Sequence, residues 1–203
     1  IKVVGIGGGG CNAINTMITD YDIPGVEFMA FNTDAQALKM SQSPVTLQLG
    51  EELTHGLGVG GNHDMRAQAA EESLDQIQEL LEGANMVFIT AGMGGGTGTG
   101  AAPIIAGVAK NMGALTVAVV TKPFDFEGNK RREIAEEGIA ALKDKVDTLI
   151  VVPNQRLLEI VDEGERLSFI DAMKKVDSVL AEGVNSISNL ISQTGYINAD
   201  FND

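Results

Sequence analysis

Short β-branched runs alternate with amphipathic stretches along this chain, and that alternation leaves few folds open to it. The runs IKVVGI, VEFMAFN, ANMVFIT, ALTVAVVT and DTLIVVP are largely apolar without strict alternation, the pattern of strands covered on both faces. Helical periodicity fills the gaps between them. Residues 64–82 bring Ala70, Leu74, Ile77 and Leu81 to one side of a helix, and residues 168–191 do the same with Met173, Val176, Leu180, Val184 and Ile187. Both stripes are read as packing faces. Parallel neighbours cannot be joined by a hairpin, so strand then helix repeated about five times predicts an α/β fold: a doubly wound, mostly parallel sheet with helices on both faces. No repeat, linker or low-complexity segment divides the chain, and one domain over residues 1–203 is the expected division.

Composition narrows the partners. With 44% apolar residues the chain can bury a substantial core, while its net charge of −14 repels phosphate backbones and anionic lipid heads. Neither nucleic acid nor a membrane surface is an expected partner. Cys11 is the single cysteine, so no internal disulfide can form, and a reducing cytoplasm is the expected location. No apolar run approaches the roughly 20 residues that span a bilayer, and no secretory leader pattern stands at the start, so a soluble chain is expected. Because the sequence begins inside an apolar run at Ile1 and stops at INADFND without a helix stop signal, it is expected to be part of something longer.

In an open parallel sheet, ligands sit beyond the carboxyl ends of the strands, so the residues following each strand carry the most information. After IKVVGI, Gly5, Gly7 and Gly10 have the G-x-G-x-x-G spacing that lets a helix N-terminus approach a phosphate. A tight turn needing positive φ, or a nicotinamide-dinucleotide site, would use the same triplet. The second strand ends FNTDAQAL, and its Asn32 and Asp34 neither exclude nor demand a dinucleotide. GLGVGGN, residues 56–62, is a second glycine cluster that a dinucleotide fold has no use for, although a plain surface loop could carry it.

The third cluster, AGMGGGTGTGAAP, directly follows MVFIT. With Pro103 read near a first helical turn, the N–H groups of Gly94, Gly95, Gly96 and the residues up to Gly100 can form an anion nest that any Cβ would crowd. Thr97 and Thr99 add hydroxyls, which can equally cap the following helix. Three glycine loops on one edge point to a triphosphate. In the fourth loop, KPFDFEGNKR, Glu127 and Arg131 are either an ordinary i,i+4 pair or a ribose acceptor and a phosphate donor. VVPN then presents Asn154, and Asp177 stands on the last long helix. An amide reads the guanine carbonyl and a carboxylate accepts from its N1–H and amino group, a donor pair that adenine lacks. Asp177 can also be satisfied by backbone.

These segments together resemble the tubulin superfamily and, within it, the FtsZ branch of prokaryotic cell-division GTPases. GMGGGTGTGAAP resembles the family's signature loop, and GIGGGGCNA, NTDAQAL, GLGVGGN, KPFDFEGNKR, VVPN and INADFND accompany it in the family's order over essentially the whole chain. The resemblance implies that Gly8, Gly9, Asn12, Gly60, Gly94, Gly95, Gly96, Thr97 and Gly98 hold phosphates. It assigns Glu127 and Arg131 to the ribose and its surroundings, Asn154 and Asp177 to guanine, Met173 to the face of the base, and Asn32, Asp34 and Asn62 to the pocket wall. It implies GTP and GDP as ligands, with magnesium held through phosphates and water. No P-loop lysine motif occurs, so backbone amides must replace it.

The resemblance also implies assembly. Family members complete the active site between subunits stacked head to tail, where the loop matching Asn198, Asp200 and Asp203 would orient the water that attacks the γ-phosphorus in the neighbouring subunit. A head-to-tail contact that does not close gives a filament. A division ring at midcell is the implied place of action. The family's second α/β domain, and the tail that recruits division partners and membrane tethers, would lie outside this chain. Departures from the pattern are Cys11, His63, Arg66, Met173 and the length of DEGERLS; Met173 can still lie softly against a purine. His55 and His63 are read as surface residues without a metal. Two further readings stay open: a module that holds nucleotide without turnover, and a dinucleotide-dependent oxidoreductase suggested only by Gly5, Gly7 and Gly10.

Overall fold

The computed structural model describes residues 1–50, 63–159 and 168–193, with side chains described for 1–50, 67–158 and 168–191. Six strands form one sheet: β1 (Lys2–Ile6), β2 (Glu27–Asn32), β3 (Val45–Gln48), β4 (Met86–Gly92), β5 (Leu115–Lys122) and β6 (Thr148–Pro153). Their order is β3-β2-β1-β4-β5-β6, and every neighbouring pair is parallel. Val3 of β1 stands opposite Phe28 on one side and Phe88 on the other. The order reverses direction between β1 and β4, and the loops leaving those two strands part there to open a crevice.

Helices cover both faces. On one lie α3 (His63–Glu72), α4 (Leu74–Leu81), α5 (Thr97–Asn111) and α6 (Asn129–Lys143), with Ala70, Ile77, Ile105, Ala135 and Leu142 packed on Val87, Ile89 and Val120 of the sheet. On the other, α1 (Gly7–Asp20), α7 (Asn154–Glu159) and α8 (Phe169–Gln193) bring Ile14, Met17, Val176, Leu180 and Val184 against Val3, Phe88 and Val119. A short α2 (Ala35–Lys39) follows β2. Val87, Phe88, Ile89 and Ala91 of β4 are wholly buried, which accounts for the unalternating apolar run there.

Three local expectations change. The sheet has six strands, because the four-residue edge strand β3 adds to the five apolar runs. VTLQ is too short and too polar to stand out from a loop. The helix expected over residues 64–82 is two helices that part at Ser73, whose side-chain oxygen accepts the amide of Gly50 at 3.1 Å. Pro103 lies inside α5 instead of in its first turn, since the helix already starts at Thr97 within the glycine stretch. The last helix does start where its periodicity predicts, and Ser168 caps it by accepting the amide of Asp171 at 3.2 Å.

Candidate functional site

Two helices begin at the switch point without a side-chain cap among the described residues. The helix α1 starts directly after β1 and α5 starts four residues after β4; neither has a side-chain cap nor an acidic residue in its first turn. The first N–H groups of a helix have no intrahelical acceptor, and the helix dipole makes that end electropositive. Glycine brings the two starts together: a Cβ on Gly7 would lie 2.7 Å from the nitrogen of Gly98, and one on Gly98 would lie 3.1 Å from the carbonyl oxygen of Ile6. Gly96, just before α5, has φ of 76°, a conformation that side chains resist. The arrangement suits an anion.

Not every glycine serves that purpose. A Cβ on Gly5 would lie 2.4 Å from the carbonyl oxygen of Gly10, and one on Gly10 would lie 2.4 Å from that of Thr90. These two let α1 pack tightly on the sheet, so helix packing accounts for the G-x-G-x-x-G triplet without a dinucleotide. Gly8 is exposed and has open space around it.

The expectation of free amides along the third glycine loop is corrected at two positions. The amides of Gly94 and Gly95 both donate to the hydroxyl oxygen of Thr99, at 3.0 and 3.1 Å. Thr99 therefore caps the preceding loop, not the helix in which it sits. It shapes the loop from within the fold, and the first-turn N–H groups of α5 are the ones that lack an intrahelical acceptor.

A cleft runs from this edge along the carboxyl ends of β4, β5 and β6 to α8. Its walls include Gly9, Gly94, Gly95, Glu127, Arg131, Asn154, Met173 and Asp177. Residues spread over the whole chain thus meet in one concave site. The carboxylate of Glu127 accepts the amide of Phe124 at 2.7 Å and pairs with the Arg131 guanidinium at 3.2 Å. The i,i+4 contact forms, and both residues line the cleft. Asn154, directly after β6, is buried, and among the described residues its Oδ1 has no hydrogen-bond partner. A buried amide oxygen without a donor is costly unless something fills the site. Burial pushes the Asp177 carboxyl up to about 6, so near neutral pH this carboxylate too is poorly solvated and lacks compensation.

Other sequence-predicted residues serve local structure. Asn32 accepts the amide of Asp34 at 3.3 Å, and Asp34 caps α2 by accepting from Gln36 and Ala37 at 3.0 and 3.2 Å. Asn12 is exposed on α1. Gly60, Asn62, Asn198, Asp200 and Asp203 lie outside the described residues, as do His55 and most of DEGERLS; the side chains of His63 and Arg66 also lie outside them. Cys11 is buried, and burial raises its thiol to about 12, which makes it an inert core residue. Sequence reading missed Thr33, Thr121 and Pro123. Thr121 and Pro123 line the cleft, and the hydroxyl of Thr33 meets that of Thr97. Thr121 was findable, since it lies near the carboxyl end of β5, where ligand contacts collect.

Comparison with known proteins identifies the family and the fold. The model of the Tubulin/FtsZ family GTPase domain matches residues 1–162. An FtsZ dimer from M. jannaschii, in its empty form, is similar at 44% identity with a TM-score of 0.89, over 95% of this chain and 55% of that one. CetZ1 from Haloferax volcanii, a GDP-bound monomer, is similar at 22% identity and a TM-score of 0.78, over 89% of this chain and 57% of its own. CetZ2 from the same organism, a GTPγS-bound protofilament, gives 22% and 0.80 over 92% and 57%. At that identity the two CetZ proteins speak for the fold alone. The chain spans a little over half the length of each of these proteins.

Proposed function

This chain belongs to the Tubulin/FtsZ family and carries its GTPase domain, and from that premise we propose that it binds GTP and GDP in the β4–β6 cleft and hydrolyses GTP on head-to-tail assembly. One observation carries the nucleotide reading: the buried, unpartnered amide oxygen of Asn154 lines the same cleft as the poorly solvated carboxyl of Asp177. The Asn154 carboxamide can offer its oxygen or its NH₂ to a base, and Asp177 offers the acceptor that guanine N1–H and amino groups require. The uncapped starts of α1 and α5 would hold the phosphates, Glu127 and Arg131 would take the ribose side, and Met173 would lie against the base.

Among the described residues, no group of three or more His, Cys, Asp or Glu is placed to hold a metal ion. Magnesium, which supplies charge neutralisation during phosphoryl transfer, would therefore be held here by phosphate oxygens and water. Asn198, Asp200 and Asp203 would act on the neighbouring subunit's nucleotide by positioning the attacking water. Among the described residues, no helix is long and apolar enough to cross a membrane, in keeping with a cytoplasmic filament at the division ring.

Hydrolysis per chain should rise steeply with protein concentration, as a shared active site demands. The alternative is a nucleotide-holding module without turnover. Tight GTP binding with phosphate release near zero at every concentration would select it.

A further inference from the structure

The hydroxyls of Thr33 and Thr97 lie 2.6 Å apart across 64 residues of sequence. Thr33 follows β2, and Thr97 is the first residue of α5. Both are buried, with exposures of 1% and 6%. Among the described residues, neither hydroxyl has another hydrogen-bond partner. Nothing in the family signature loop by itself requires this contact.

Counting protons gives the pair a direction. Two hydroxyls hold two protons, and the bond between them uses one. When Thr97 is the donor, the remaining proton sits on Thr33, enclosed and without an acceptor among the described residues. When Thr33 is the donor, the remaining proton sits on Thr97, at the uncapped helix start where an anion would arrive. A bound phosphate oxygen accepts that proton and selects the second arrangement. The chain from Thr33 to Thr97 to the anion also strengthens its outer bond, because each hydrogen bond polarises the next.

We propose that Thr33 is a positioning residue for phosphate binding: it donates to the Thr97 hydroxyl oxygen, fixes that side chain's rotamer and turns its proton outward. Thr33 itself touches no ligand. The inference rests on the reading of the cleft as a guanine-nucleotide site, and it adds that the grip on phosphate depends on a residue behind the glycine loop.

The test compares the full chain with Thr33→Val, Thr33→Ser, Thr97→Val and the Val/Val double variant, titrated calorimetrically with GTP and with guanosine. Thr33→Val is expected to weaken GTP by up to about tenfold, the worth of one neutral hydrogen bond, and to leave guanosine unchanged. Thr33→Ser, which restores the hydroxyl, should bind GTP within about twofold of the parent. In the Thr97→Val background the Thr33 substitution should add nothing further. If Thr33→Val does not fold, Thr33→Ala removes the same hydroxyl and is read in the same way. Equal losses for GTP and guanosine, an additive loss in the double variant, or normal GTP binding by the Thr33 variant would each overturn the proposal while leaving the nucleotide site intact. A parent chain that binds no GTP overturns the nucleotide reading, and this proposal with it.

Discussion

On the proposed reading, the working groups at one end of the cleft would be main-chain amides at the starts of α1 and α5, and at the other the side chains of Asn154 and Asp177. The first end comes from contiguous glycine-rich sequence, so its chemistry lies in the absence of side chains and in close backbone approach. The second is assembled from residues on β6–α7 and α8 that share no local motif. Amides at a helix start grip any anion of suitable shape. A carboxylate and a carboxamide choose among bases. Affinity for phosphate and selectivity for guanine should therefore fail separately under mutation.

The largest separation is expected within the first glycine run. Gly10→Ala would place a methyl 2.4 Å from the carbonyl oxygen of Thr90, lifting α1 from the sheet. Loss of the cooperative unfolding transition by circular dichroism is the expected outcome. Gly8→Ala, in open space, should keep its melting temperature within about 2 °C, as surface substitutions usually do. Comparable destabilisation by both would remove the distinction between packing and ligand-facing glycines.

Next in size is Asp177→Asn. Losing a charged acceptor for the base should weaken GDP by about 1.5–3 kcal/mol, roughly 10- to 150-fold in Kd. The same change should raise the melting temperature of the ligand-free chain at pH 7. The sign follows from the pKa: the folded value of about 6 lies above the ordinary 3.8, so the fold disfavours the ionised form, with no cost below about 3.8 and the full cost above about 6. A neutral amide removes that cost. Weaker binding with a lowered melting temperature would mean that Asp177 supports the fold.

At the amide end, Thr99→Val strips the shared acceptor from Gly94 and Gly95. Leaving these amides unsatisfied should cost about 1–3 kcal/mol of stability in a urea titration. An unchanged midpoint would show that the loop does not need its internal cap.

The smallest expected effect is on pH dependence. Donors on guanine favour the ionised Asp177, so nucleotide binding should lower its pKa from about 6 and release a proton in weakly acidic buffer. Affinity for GDP should then fall by about tenfold between pH 7 and pH 5 in calorimetric titrations. The Asp177→Asn chain should lose this dependence; if it keeps it, another group is responsible.

Much of this comparison was legible in the sequence, and the exceptions have physical causes. The α/β alternation showed because strands buried on both faces need unbroken apolar runs. The first and third glycine loops, Glu127, Arg131, Asn154 and Asp177, which meet in the cleft, are legible as residues that follow predicted strands or lie on the last helix. The edge strand β3 was lost because a four-residue strand with a single buried residue, Leu47, lacks that signature. The early start of α5 was lost because glycine has poor helix propensity, which close packing against β1 and β4 overrides. The roles of Thr33, Ser73 and Thr99 depend on which backbone or hydroxyl each one meets. For Thr33 and Ser73 the partners lie 64 and 23 residues away, beyond the reach of any local pattern.

The central claim is that one cleft joins anion-binding helix starts to a guanine-reading pair. Thermal unfolding of the full chain in parallel with GDP, ADP and NAD tests it most directly. At a hundredfold excess over Kd, GDP should add about 2.7 kcal/mol and raise the melting temperature by roughly 5–10 °C, with ADP and NAD at the same concentration shifting it by less than about 1 °C. Equal protection by GDP and ADP, or greater protection by NAD, would contradict the account.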